Sequence, residues 1–172
     1  MAVTRSRISS SAARGGAREG SMAAPEKPID EKAWRLLAAL QADARSPLKE
    51  LAAAAGLSIP ATAEHIRKLE EAGVILGYHA EVDATAAGYG VRALVGITTV
   101  QPHKRKFLEK IAAAPQVLEC HHVTGADSYV MTVVATSIAE LERFLGSING
   151  YGETRTSIVM STPIPRRGLA RP

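Results

Sequence analysis

The stretch Ala52-Ala53-Ala54-Ala55-Gly56-Leu57-Ser58-Ile59-Pro60-Ala61-Thr62-Ala63-Glu64-His65-Ile66-Arg67-Lys68-Leu69 constrains this chain more than any other. It reads as two short helices joined by a tight glycine turn. Gly56 supplies the positive φ that ends one helix. Ser58 caps the free N–H groups of the next, and Pro60 is tolerated in a first turn, where those groups have no partner inside the helix. The second helix keeps Thr62, Ile66 and Leu69 on one side and Ala61, Glu64, His65 and Lys68 on the other. Small and polar groups on an exposed helical face are what a helix lying in a DNA major groove offers to bases and phosphates. The plainer alternative is an ordinary helical hairpin.

Charge qualifies that expectation. The formal net charge is +4 over 172 residues, but the excess sits in the ends. Residues 1–27, 28–85, 86–163 and 164–172 carry +3, −3, +1 and +3. A reading region of net −3 cannot bind DNA through bulk charge, so it must place a few cations well and multiply them by oligomerising. The single cysteine, Cys120, excludes an internal disulfide framework and any multi-cysteine metal site, and a reduced, cytoplasmic setting is expected, close to the nucleoid if DNA is the partner. No apolar run approaches the roughly 18 residues needed to cross a bilayer, so no membrane partner is expected. Residues 1–27, with Arg5, Arg7, Arg14 and Arg18 among Ser, Ala and Gly, read as a disordered basic arm, or as sequence upstream of a start at Met22.

The rest of the chain falls into two patterns. Asp30 is a helix N-cap, followed by Ala33, Leu36, Leu37 and Leu40 at helical spacing as far as Ser46-Pro47. Leu48 to Ala55 is a second helix and Ile59 to Ala72 a third, closed by Gly73. Val74 to Val82 alternates like a strand, as a wing would, which makes residues 28–82 a winged helix-turn-helix, with 83–90 as a hinge. Beyond it the period changes to two. Strands are expected at Val91–Val100, Val117–Thr124, Tyr129–Ala135 and Thr154–Met160, and helices at Lys104–Ala114 and Ser137–Asn149. The order βαββαβ is the ferredoxin-like arrangement, an antiparallel sheet with both helices on one face, here over residues 91–163, with 164–172 as a basic tail. The fold class is therefore α+β. The inner strands carry apolar groups on both sides, as with Leu94, Val95 and Ile97, or Val130, Met131, Val133 and Val134, which leaves an uncovered apolar face, so a homodimer through the sheet is expected.

Both halves carry motifs. The first has Ile29-Asp30, Leu40-Gln41-Ala42-Asp43-Ala44-Arg45, Gly56-Leu57-Ser58, Ile66-Arg67-Lys68-Leu69-Glu70-Glu71-Ala72-Gly73-Val74-Ile75 and Gly77-Tyr78. The second has Glu119-Cys120-His121-His122-Val123-Thr124-Gly125-Ala126-Asp127-Ser128-Tyr129 and Thr154-Arg155-Thr156. Over roughly residues 28–163 the chain resembles the leucine-responsive and asparagine-regulator (Lrp/AsnC, feast/famine) family of bacterial and archaeal transcription factors. The resemblance implies winged helix-turn-helix domains reading a near-palindromic DNA site. It also implies effector domains of the RAM or ACT-like type that pair into dimers, often octamers, and bind a small ligand, usually an amino acid.

Candidate DNA contacts are Ser58, Pro60, Ala61 and Thr62 at the start of the recognition helix, with His65, Arg67 and Lys68 reaching phosphates or base edges. His65 stands where the family commonly has arginine. The bland alternatives are a simple cap for Ser58 and solvated surface for Arg67 and Lys68, the latter favoured by the i, i+4 spacing of Glu64 and Lys68. Candidate ligand contacts are Thr124, Gly125, Ala126, Asp127, Ser128 and Tyr129. Together they offer backbone N–H groups for a carboxylate, and hydroxyls plus one carboxylate for an ammonium. Ala126 and Ser128 depart from the acidic residues of the family's best-known member. The alternative there is a plain hairpin. His121 and His122 are adjacent on a strand and so point to opposite faces, which argues against a shared metal. No catalytic site, metal or cofactor is expected. The competing classes are an enzyme resembling siroheme decarboxylases, whose histidine- and arginine-rich strand is missing at Gly88-Tyr89-Gly90-Val91-Arg92-Ala93-Leu94, and an amino-acid-binding scaffold that reads no DNA.

Overall fold

In the helical part, local capping sets where each element begins. The Asp30 carboxylate accepts from the Ala33 N–H at 2.8 Å and starts α1, Glu31–Ala42. Helix α2, Leu48–Ala55, follows Pro47 and ends at Gly56 with φ 64°. There a β-carbon would be strained, and glycine is not. Ser58 then caps α3, Ile59–Glu71, its Oγ accepting from the Ala61 N–H, and Gly73 at φ 66° lies just beyond the last turn. These three helices bury Ala33, Leu36, Leu40, Leu51, Ala52, Ala55, Thr62 and Leu69. The computed structural model describes residues 28–172, and the arm expected over 1–27 lies outside them. The chain divides into two units: the first runs to Ala72 and also takes in Ala170–Pro172, and the second spans Gly73–Leu169, so residues 73–90 group with the second.

The second unit has the expected βαββαβ order: β1 Val91–Thr99, α4 Gln101–Ala112, β2 Val117–His122, β3 Tyr129–Ala135, α5 Ile138–Ile148 and β4 Gly152–Ile158. The strands lie in the order β2-β3-β1-β4, every pair antiparallel. The inner strands β1 and β3 turn Ala93, Val95, Ile97, Met131, Val133 and Ala135 toward Phe107 and Ile111 of α4 and Leu141, Phe144 and Ile148 of α5. The core is aliphatic with few rings, as a chain with 4% aromatic residues requires. Element ends shift by up to three residues from expectation. Helix α4 begins earlier, at Gln101, because Pro102 fits a first turn.

The strand expected over Val74–Val82 is absent: residues 74–82 form no strand or bridge. Alternation is a property of the side chains, but a strand also needs a second backbone to accept and donate hydrogen bonds, and among the described residues none pairs with that segment. Leu76 and Val82 are left 70% and 67% exposed. The segment expected as a hinge, residues 83–90, holds a capped turn. Asp83 Oδ1 accepts from the N–H groups of Thr85 and Ala86, and the Ala84 carbonyl accepts from Tyr89 N–H at 2.8 Å. The open face of the sheet is also more polar than alternation alone implied. Leu94, Val130 and Val134 share it with Arg92, Thr98, Glu119, His121, Thr132 and Arg155.

Candidate functional site

Helix α3 presents a sorted surface. Ser58 and Pro60 are exposed at its start, Ala61 is half-buried, and Lys68 is exposed two turns on. Thr62 belongs elsewhere. It is fully buried, and its hydroxyl donates to the Ser58 carbonyl at 2.9 Å, so this expected groove contact is a core residue with its polar group satisfied. His65 is half-buried and its Nδ1 donates to the Ala61 carbonyl at 2.9 Å. In the neutral tautomer compatible with that bond, Nε2 is the acceptor.

Arg67 is exposed but not idle. Its guanidinium donates to both oxygens of Glu64, at 3.0 and 2.7 Å, and also to Glu71 one turn further on. Lys68 shares Glu64 at 3.5 Å. The hydrogen bonds from Arg67, with the two cations beside it, hold the Glu64 carboxyl at about 2, well below the usual carboxylate range. The outward strip therefore carries two cations and two anions that largely cancel. Exposed pairs of this kind are weak and screened by salt, so a phosphate can replace a carboxylate at little cost.

The turn between β2 and β3 is the second candidate. Thr124, Gly125 and Ala126 are exposed, and Gly125 takes φ 118°, which a side chain would resist. Ser128 is half-buried and committed: its Oγ accepts from Thr99 N–H at 3.2 Å and its own N–H donates to the Ile97 carbonyl at 2.9 Å. The Thr98 hydroxyl donates to the Ala126 carbonyl at 2.9 Å. These bonds pin the turn to β1. Tyr129 is 7% exposed, packs on Phe107 and His122, and so belongs to the core rather than to a ligand surface.

Asp127 shows what the chain order conceals. Its carboxylate accepts from Arg155 of β4 at 2.6 Å and lies over Gly96 of β1, directly opposite Arg155 in the ladder. A β-carbon on Gly96 would sit 2.5 Å from Asp127 Oδ2. Glycine in an inner strand is otherwise costly, and here it makes the seat for a charged side chain. Arg155 and Gly96 were not among the expected ligand residues, although Arg155 stood in a quoted motif. No pattern in the sequence couples them to Asp127.

The histidines diverge as strand geometry requires. His121 lies 3.4 Å from Glu119 on the open face, while His122 stacks on Tyr129. Cys120 is half-buried, and burial pushes its thiol up, away from the reactive thiolate. Among the described residues no three His, Cys, Asp or Glu side chains are grouped to hold a metal, and no helix is long and apolar enough to cross a membrane.

Known proteins match both units. Residues 29–75 fit the winged helix-turn-helix DNA-binding model, and residues 92–169 fit the Lrp/AsnC ligand binding domain. An uncharacterized HTH-type transcriptional regulator of Bacillus subtilis, YezC, is 35% identical over 135 residues, covering 78% of this chain and 95% of its own. The HTH-type transcriptional regulator LrpA of Mycobacterium tuberculosis is 35% identical over 130 residues, covering 74% of this chain and 87% of its own. Among solved structures, AsnC of E. coli superposes with a TM-score of 0.74 at 30% identity, over 81% of this chain and 97% of that one. A capped reading helix, a ferredoxin-like effector unit and these matches along the chain lead to one conclusion: the protein belongs to the Lrp/AsnC family of HTH-type transcriptional regulators.

Proposed function

We propose that this regulator reads duplex DNA with the exposed strip of α3 and answers to an amino acid held at the turn between β2 and β3. The reading is carried by one observation: α3 is fixed from behind by buried Thr62 and Leu69 while Ser58, Pro60, Arg67 and Lys68 stay exposed in front. In this assignment Ser58, Pro60 and Ala61 approach the backbone closely and His65 Nε2 accepts from a base edge or a bound water. Lys68 meets a phosphate, and Arg67 does so by exchanging a carboxylate for it. A regulator that reads DNA acts in the compartment that holds the genome, the cytoplasm with its nucleoid.

The ligand assignment follows from the charges at the turn. Exposed backbone at Thr124–Ala126 lies beside Asp127 and Arg155, one anion and one cation, which suit the ammonium and carboxylate of a free amino acid. The apolar part of the open sheet face, with Leu94 47% exposed, supports pairing of effector units into at least a dimer.

Two experiments test this. DNA selected from a random-sequence pool should be bound in preference to a scrambled duplex, and Arg67→Ala with Lys68→Ala should weaken binding to both duplexes while leaving the oligomer's mass unchanged. Undiminished affinity would reject the assignment of α3. Screening the twenty amino acids for a rise in melting temperature should find a stabilising ligand, since a molecule that binds only the folded state must raise its apparent stability. Asp127→Asn should reduce that shift, and an undiminished shift would move the site elsewhere.

A further inference from the structure

The reading unit carries no net positive charge with which to supply affinity. Residues 28–72 hold six basic and seven acidic side chains. Three of the six are held by carboxylates: Arg35 by Glu31, Arg67 by Glu64 and Glu71, and Lys68 by Glu64. The C-terminal residues present the opposite picture. Residues 164–172 contain Arg166, Arg167 and Arg171 and no acidic residue, and all three arginines are exposed. Among the described residues no carboxylate lies within ion-pair distance of any of them.

The tail forms no regular element: residues 159–172 carry no helix or strand. Pro163 and Pro165 lack an N–H and hold φ near −65°, which keeps this stretch out of helices and ladders. Fully extended, nine residues span about 30 Å. Nor does the tail serve the core, since Ile164 and Leu169 are 65% and 77% exposed.

We propose that residues 164–172 are a sequence-independent contact to the phosphate backbone of the duplex that α3 reads. A guanidinium presents a planar fork of donors that fits a phosphate, and three of them add the local positive charge that the reading unit lacks. In this arrangement α3 supplies specificity and the tail supplies affinity. The inference rests on the DNA-reading assignment above.

The test is salt dependence on a mixed-sequence DNA duplex, with the full chain. The variant Arg166→Gln/Arg167→Gln/Arg171→Gln is compared with Lys104→Gln/Lys106→Gln/Lys110→Gln, which removes the same charge from α4. Each phosphate neutralised contributes about 0.9 to the slope of log affinity against log salt, so the tail variant should lose about 2.7 per bound chain. Across a fourfold rise in salt its affinity should therefore fall about 40-fold less than that of the unaltered chain. The α4 variant should keep its slope, and both should keep their preference for the selected sequence. A tail variant with an unchanged slope overturns the proposal, as does an equal loss in the α4 variant, which would make net charge the cause. A change in oligomer mass with the DNA slope intact would put the tail on another copy of the chain and also overturn it. If the unaltered chain holds no duplex even at low salt, the DNA-reading assignment itself falls. An unchanged slope with binding intact sinks only the role of the tail.

Discussion

Arg67 and Arg155 are both exposed arginines held by carboxylates, yet they are held in different ways. Arg67 bonds to Glu64 and Glu71, three and four residues away on the same helix. Arg155 bonds to Asp127, 28 residues away, through a turn pinned to β1 and a glycine that makes room. The first arrangement exists wherever α3 is helical, because residues three and four apart share a face. The second exists only when β1, β3 and β4 are in register. A local pair therefore reports on a helix, whereas the long-range pair reports on the whole sheet. A ligand arriving at the turn can alter the second and leave the first untouched.

That contrast yields tests of decreasing size. The largest effect is expected from Phe107→Ala, which removes a fully buried ring from under the sheet. It should lower the stability of the second unit by about 3–5 kcal/mol in urea unfolding, while the caps and pairs of the first unit stay intact. Loss of both units together would show that they do not unfold independently. Next is Gly152→Ala. Its new β-carbon would overlap the Thr98 carbonyl, a backbone atom that cannot rotate away, so a loss of about 1–3 kcal/mol is expected.

Ser58→Ala should cost about 1 kcal/mol through the lost cap and should weaken DNA binding along with helix stability. Gly96→Ala is gentler than Gly152→Ala because it displaces the end of a side chain rather than backbone. Its expected signature is a fold of near-normal stability in which Asp127 no longer engages Arg155 and the response to amino acids changes. An undisturbed response would separate the pair from ligand binding.

The smallest effect is in acid. Glu64 has its carboxyl held at about 2, against an ordinary 4.5, so its contribution to folding is complete above about pH 4.5 and fades as pH falls toward 2. Glu64→Gln should flatten that part of the acid limb. An unchanged limb would mean that the pairs on α3 do not favour the folded helix.

The same contrast explains what could be read from the sequence. The caps at Asp30 and Ser58, the αL turn at Gly56 and the helix stop at Gly73 are short-range, and each stands where the residue types placed it. The strand order was legible because period-two and period-3.6 stretches alternate along the chain. Thr62 was misplaced because a hydroxyl looks available until its bond back to the Ser58 carbonyl is seen. Tyr129 sits beside the turn in sequence but under the sheet in space. Val74–Val82 has the alternation of a strand without a backbone to pair with. The seat formed by Gly96, Asp127 and Arg155 depends on ladder register, which one-dimensional patterns do not carry.

The DNA-reading assignment depends on contact of α3, rather than of the sheet turn, with the bases. A photoreactive side chain placed at Ala61 or, in a second variant, at Thr124 tests it directly on the duplex selected from a random pool. Crosslinks to bases are expected from position 61 and none from position 124. Base crosslinks from 124 with none from 61 would contradict it.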